Sequence, residues 1–302
     1  MPTASVFWPA ALGTSYFIAG IVSYWRELLS PSSHGIRRLT ALGPTFVAAS
    51  LGAFAGEHFT AARSLAGLVP RWMPAPLFIA YFVGVAHLAA ATSFVARRCI
   101  RWAALGLAVM FALFVLLMDL PAAVAHPAAR LGWILAAREA TFAMGALALF
   151  ATAGRDRSPG LSKGLASIAV VWAALVVVYY GLEHLLYPMY SPGVPSSRVT
   201  ASWVPLPSTV AYLTGFLLIL LGVAMLVRRY AGYGGALAAL LMALLTLVLY
   251  VPDFFLARDV SQQVTALNFI FDTLLFSGTL LVITRAIPRP EPAPLAMSVA
   301  AA

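Results

Sequence analysis

Nine stretches of roughly twenty apolar residues, set apart by short segments carrying Arg or Pro, leave this chain few ways to fold. In hydrocarbon every backbone N–H and C=O has to be paired internally, which a helix achieves and a loop does not. Covering the stretches with a soluble surface is not an option, because 62% of the residues are hydrophobic, 10% are charged and the mean hydropathy is +0.92. An all-α polytopic membrane protein with the lipid bilayer as its first partner is therefore expected. The segments run from Val6 to Trp25, Leu42 to Ala62, Pro76 to Ala96, Trp102 to Pro121, Leu131 to Ala151, Gly164 to Leu186, Pro207 to Val227, Ala231 to Val251 and Val264 to Thr284. Met1 to Val6 carries no basic residue ahead of the first apolar run, and no small-residue cleavage pattern follows, so that run is read as a retained helix.

Two parts of the chain read as copies. Trp72, Pro74, Pro76, Tyr81, Gly84, Arg97, Arg98 and Pro121 return at Trp203, Pro205, Pro207, Tyr212, Gly215, Arg228, Arg229 and Pro252, all at an offset of 131 residues. Upstream, Glu57-His58 is echoed by Glu183-His184 at 126; downstream, Glu139 and Gly145 are echoed by Asp272 and Gly278 at 133. An offset that changes only between elements is what loop insertions in a duplicated unit produce. The organisation expected is an extra N-terminal helix and loop (1–41), a first four-helix unit (42–153), a second (154–286) and a Pro- and Ala-rich disordered tail (287–302). An even number of spans per copy makes the two units parallel repeats.

Cations set the orientation. Thirteen of them, Arg26, Arg37, Arg38, Arg97, Arg98, Arg101, Arg155, Arg157, Lys163, Arg228, Arg229, Arg285 and Arg289, fall in one set of loops and the tail. Only Arg63, Arg71, Arg130, Arg198 and Arg258 fall in the other, and Arg138 lies inside a helix. The positive-inside rule puts the first set in the cytoplasm and the N-terminus outside. The net charge of +9 is thus accounted for by topology, and no nucleic-acid partner is expected. With a lone Cys99, a redox role would need a bound cofactor, a quinone or a partner's thiols.

The order of a Gly-x-His-Phe-like helix end (Gly56 to Phe59), a Trp-x-Pro-x-Pro loop, a Tyr and a Gly in the next helix and paired Arg at its far end resembles the DoxX family of four-helix membrane proteins. The likeness covers residues 42–151 and again 164–286. It implies a bacterial cytoplasmic-membrane protein associated with redox systems, with a possible quinone ligand and a possible redox partner protein. One departure is plain. Where family members often carry Gly-x-x-Glu, this chain has Gly84-Val-Ala-His87 in the first copy and Gly215-Phe-Leu-Leu218 in the second.

Ionisable residues inside spans are costly, so they face the bundle interior and pair. In the first copy the candidates for a ligand-binding pocket are Glu57, His58, Trp72, His87, Arg138 and Glu139; in the second they are Glu183, His184, Trp203 and Asp272. Arg138 is expected to pair with Glu57 or Glu139, since either carboxylate left alone at that depth would be forced to protonate. A buried ion pair fixing helix register is the competing reading. Trp72 and Trp203 also suit a membrane-interface anchor, and His87 suits a hydrogen-bonded core position. Asn268, one turn before Asp272, can share its face. The second copy lacks counterparts of Arg138 and His87, having Phe271 and Leu218, so the first is expected to keep the polar pocket and the second to support it. Asp119 and Asp253, beside Pro121 and Pro252, read as boundary charges. Gly52-Ala-Phe-Ala-Gly56 permits close approach of a neighbouring helix.

No metal-ligand spacing, phosphate loop or nucleophile elbow appears. Two classes of function fit: a non-catalytic or quinone-handling subunit of a redox complex, or a bundle that binds or moves a solute or lipid. A structural scaffold is the third. The chain is not expected to be an enzyme by itself.

Overall fold

The computed structural model describes residues 3–30, 35–154 and 158–287, which are helical but for loops and one isolated bridge between Tyr190 and Val199. The tail expected to be disordered lies outside the described residues, apart from Ile287, as do Arg155, Arg157 and Arg289. Among the described residues nine helices are long and apolar enough to cross a membrane. They are α1 (Ala4–Leu28), α2 (Arg38–Thr60), α3 (Pro76–Ala96), α4 (Ile100–Ala125), α5 (Arg130–Ala153), α6 (Pro159–Leu186), α7 (Pro207–Leu226), α8 (Ala231–Leu256) and α9 (Val260–Ala286). The chain is a polytopic helical membrane protein.

Sequence explains where several of these helices begin and bend. Pro76, Pro159 and Pro207 open α3, α6 and α7, where a missing N–H costs nothing and the ring presets the helical φ. Asp259 caps α9 by accepting the Gln262 N–H at 2.8 Å. Inside α4 and α8, one turn widens to π geometry at Val115–Asp119 and at Thr246–Tyr250, directly ahead of Pro121 and Pro252. A proline ring presses on the carbonyl four residues back and offers it no N–H, and a wider turn relieves both problems.

Packed side by side, the helices form a ring in chain order: α2 on α3, then α4, α5, α6, α7, α8 and α9, which returns to α2. Across the middle α5 touches α9. Each of these two helices therefore walls both sides of the molecule, and α2 and α9 are the most enclosed spans. The apolar core runs through that contact as a chain of rings, Phe111, Phe142, Phe276 and Tyr180, with centroids 5.4, 6.4 and 5.2 Å apart.

Outside the ring, α1 lies along α2. A Cβ on Gly52 would run into the Tyr16 ring, and one on Gly56 would come within 2.8 Å of the Pro9 backbone. The small-residue spacing read from sequence is thus the contact surface for α1. At the other end of α1, Glu27 binds Arg97 and, at 2.8 Å, Arg285, while the Tyr24 hydroxyl donates to the Phe94 carbonyl at 3.0 Å. These contacts tie α1 to α3 and α9.

Local devices recur along the chain at one spacing. Ala75 (φ 50°) and Leu206 (φ 48°) adopt the left-handed conformation just before Pro76 and Pro207. The two π turns stand in the same relation. A Cβ on Gly84 would lie 2.8 Å from that of His58, and a Cβ on Gly215 would lie 3.1 Å from that of His184. Only glycine lets α3 approach the end of α2, and α7 the end of α6, this closely.

Candidate functional site

One end of the ring, where α1, α3, α5, α7 and α9 begin and α2, α4, α6 and α8 finish, holds nearly all of the buried charge. Arg138 sits eight residues past the start of α5, about 12 Å along the helix at ~1.5 Å per residue. It donates to Glu139 Oε1 at 2.9 Å and to Asp272 Oδ2 on α9 at 3.0 Å. The sequence reading allowed Glu57 or Glu139 as its partner. Glu139 is one, and the second is Asp272 in place of Glu57. Glu57 instead accepts from the Asn268 amide at 3.0 Å. The reason is the ring order: α9 stands between α2 and α5, so its two polar residues, one turn apart, take one partner from each neighbour. Asn268 and Asp272 share a face as expected.

This network is not saturated. Arg138 Nε and Glu139 Oε2 are buried without a hydrogen-bond partner, as is Oδ2 of Asp119 in the π turn of α4. Asp119 lies within electrostatic reach of both Arg138 and Glu139. Three carboxylates, Asp119, Glu139 and Asp272, thus share a single guanidinium, and Glu57 lies within electrostatic reach of Asp272. The Arg138, Glu139 and Asp272 side chains keep 24%, 14% and 12% of their surface accessible, so the network is not fully sealed within the bundle.

Beside it stand two imidazoles. His58 Nδ1 meets the Phe54 carbonyl at 2.8 Å, and the His58 and His87 rings pack edge to face with centroids 5.3 Å apart. Sequence placed them at different depths. They meet because α3 starts eight residues before Gly84, whose bare backbone rests on His58, so α3 stands well above the end of α2. His87 is only 3% exposed and neither ring nitrogen has a partner, which a hydrogen-bonded core histidine would have. Phe54 and Phe111 flank it, each with its centroid 6.1 Å away. Trp72, in the short loop above, is 69% exposed. Among the described residues no group of three His, Cys, Asp or Glu is arranged to hold a metal ion.

The corresponding place between α6, α7, α8 and α9 is filled by the chain itself. Residues 191–196, within the loop that joins α6 to α7, are buried, and backbone bonds from Ser191 N–H to Arg198 and from Thr200 N–H to Met189 hold the loop's shape. Gly193, at φ +129°, lies under the Tyr250 hydroxyl, which donates to the Pro192 carbonyl at 2.7 Å. A side chain at Gly193 would face both a left-handed backbone and that hydroxyl, 3.0 Å from its Cβ. His184 Nε2 is 3.0 Å from the Gly193 carbonyl and 3.2 Å from its N–H, its tautomer deciding which bond is made.

Two cations clamp this plug. Arg130 donates to Glu183 at 2.6 Å and to the Ser196 carbonyl at 2.9 Å, with the Tyr187 and Tyr190 rings both against its guanidinium. Arg198 pairs with Asp253 at 2.8 Å, and Asp253 also accepts from the Trp203 indole at 2.7 Å. One sequence expectation is corrected here: Asp253 is no boundary charge but a buried anchor for the loop, and it holds the N–H of the exposed Trp203 ring. Sequence reasoning missed Arg130, Arg198, Tyr250 and the plug. The available signal was the step in offset from 126 to 131, which says that the second loop is five residues longer than the first.

The arrangement in the first half can exchange protons and bind polar groups beside an aromatic wall. No family model matches the chain, and neither a curated protein nor a solved structure matches it.

Proposed function

We propose that the first half binds a small amphipathic ligand of the quinone type, and that the protein is a DoxX-like, non-catalytic or quinone-handling subunit of a redox system in the bacterial cytoplasmic membrane. With the cation-poor end outside, the site opens beneath the outer leaflet. A lipid-soluble ring carrying oxygens needs an apolar, aromatic slot with titratable groups at its edge. Phe54, Phe111 and Phe142 supply the slot, and His58, His87, Asp119 and Glu139 the edge.

One observation carries this reading: buried hydrogen-bonding atoms stand unpaired in the first half, at places whose counterparts in the second half are apolar or partnered. Leaving such an atom unmade costs about 1–3 kcal/mol, so a bound molecule that pairs with it is favoured. The test is gentle extraction, identification of co-purifying lipophilic molecules by mass spectrometry, and thermal unfolding with and without a short-chain benzoquinone. A ligand-dependent rise in Tm that His87→Leu removes is the expected result. No co-purifying ligand and no rise in the unaltered protein would return the field to a solute or lipid carrier or a scaffold.

A further inference from the structure

The second half displays, in its own backbone, how such a site is filled. The positions of Asp119 and Tyr250 close equivalent π turns 131 residues apart, and His58 and His184 stand 126 apart at the ends of α2 and α6. Between Tyr250 and His184 lies the Pro192–Gly193 peptide, bonded to both. Its third wall is Thr273, whose Cγ2 is 3.7 Å from a Cβ built on Gly193. In the first half the loop from residue 61 to 75 is five residues shorter than that from 187 to 206. The position matching Thr273 at the offset of 133 is the smaller Ala140, and that matching Leu218 is His87, 97% buried and unpartnered.

Polarity is reversed at the same time. Tyr250 donates a hydrogen bond to the carbonyl of the plug. Asp119 in its place is an acceptor when ionised, with Oδ2 buried and unpaired, and Glu139 Oε2 adds a second unused acceptor. Where these carboxyls are ionised, a dione would set lone pairs against lone pairs, whereas a diol donates to them, and hydrogen bonds to charged acceptors are the stronger kind.

We propose that the first half holds its ligand in the place that residues 191–196 occupy in the second, and that it selects a hydroxyl-bearing ring, the reduced diol form of a quinone, over the oxidised dione. The inference rests on the pocket proposed above and adds the location and the redox form of what it takes.

Binding of a short-chain benzoquinol and of the matching benzoquinone to the purified full chain in nanodiscs, under anaerobic conditions, tests it. The diol is expected to bind at least about tenfold tighter, Asp119→Asn to shrink that preference to below about threefold, and Ala140→Leu, which fills the same place, to weaken both ligands about tenfold. Equal or tighter binding of the dione to the unaltered protein overturns the selection for the diol while leaving the pocket standing. A preference that survives both substitutions in protein that still unfolds cooperatively overturns the location. If neither ligand binds the unaltered protein, the pocket itself is refuted.

Discussion

The two sides of the ring have similar helices and opposite interiors at the same end. In the second, Glu183, His184, Tyr250 and Asp253 are all paired, three of them to a loop that the chain tucks between its own helices, directly or through Arg198. In the first, His87, Asp119, Glu139 and Arg138 are buried with atoms to spare beneath a loop that stays outside. The difference teaches that a longer loop can satisfy buried acids and an imidazole where a shorter one leaves such groups with unpaired atoms, although Arg198, Thr200 and Thr273 of the second half also keep a buried atom without a partner.

Arg138 is the sharpest point at which to break the comparison, because it holds the halves together through Asp272. Arg138→Met strands two buried carboxylates and is expected to lower stability by about 3–5 kcal/mol, read as a large drop in Tm in detergent. A small drop would mean that the network is wet and dispensable. Next comes the clamp on the plug. Arg130→Met leaves Glu183 alone and should cost about 3 kcal/mol while making the 187–206 loop sensitive to limited proteolysis, with ligand binding by the first half unchanged. Parallel loss of both would show that the halves are not independent.

A pair of matched substitutions tests the asymmetry by sign. His87→Leu makes the first half resemble the second and removes an unpaired buried group, so the ligand-free protein should gain about 1 kcal/mol even as ligand-dependent stabilisation disappears. His184→Leu should instead lose about 1–2 kcal/mol, since it orphans a backbone group at Gly193. Equal signs would dissolve the contrast. Smallest of all is Glu57→Gln. The Asn268 amide can donate to an amide oxygen as it does to a carboxylate, so a change of about 0.5 kcal/mol or less is expected in thermal unfolding.

Much of the fold was legible because hydropathy reports a bulk property of the solvent. Nine apolar runs must become helices in lipid whatever their neighbours are, and the observed spans differ from the expected ones chiefly at their ends. Glycines were legible in part: Gly52 and Gly56 announce a close neighbour without saying that it is α1. Pairing was harder. Glu139 could be named as a partner of Arg138 because it is adjacent in sequence, whereas Asp272, 134 residues away, depends on α5 meeting α9 across the ring. The plug was not legible because polar residue types along the chain do not say that a loop folds back to satisfy them. Asp253 looked peripheral for the same reason. It sits beside a proline at a helix end, and only the returning loop buries it.

By itself the sequence determined the solvent, the number of spans, the repeated spacing and the residue types available near one end of the membrane, since each of these follows from composition and periodicity along the chain. Tertiary structure alone decided which carboxylate met which cation, that His58 and His87 share a level, and that a returning loop plugs one half. Those outcomes depend on how helices slide and order around a ring, and the energies of many such arrangements are matched in a sequence of interchangeable apolar residues until the few buried polar groups choose among them.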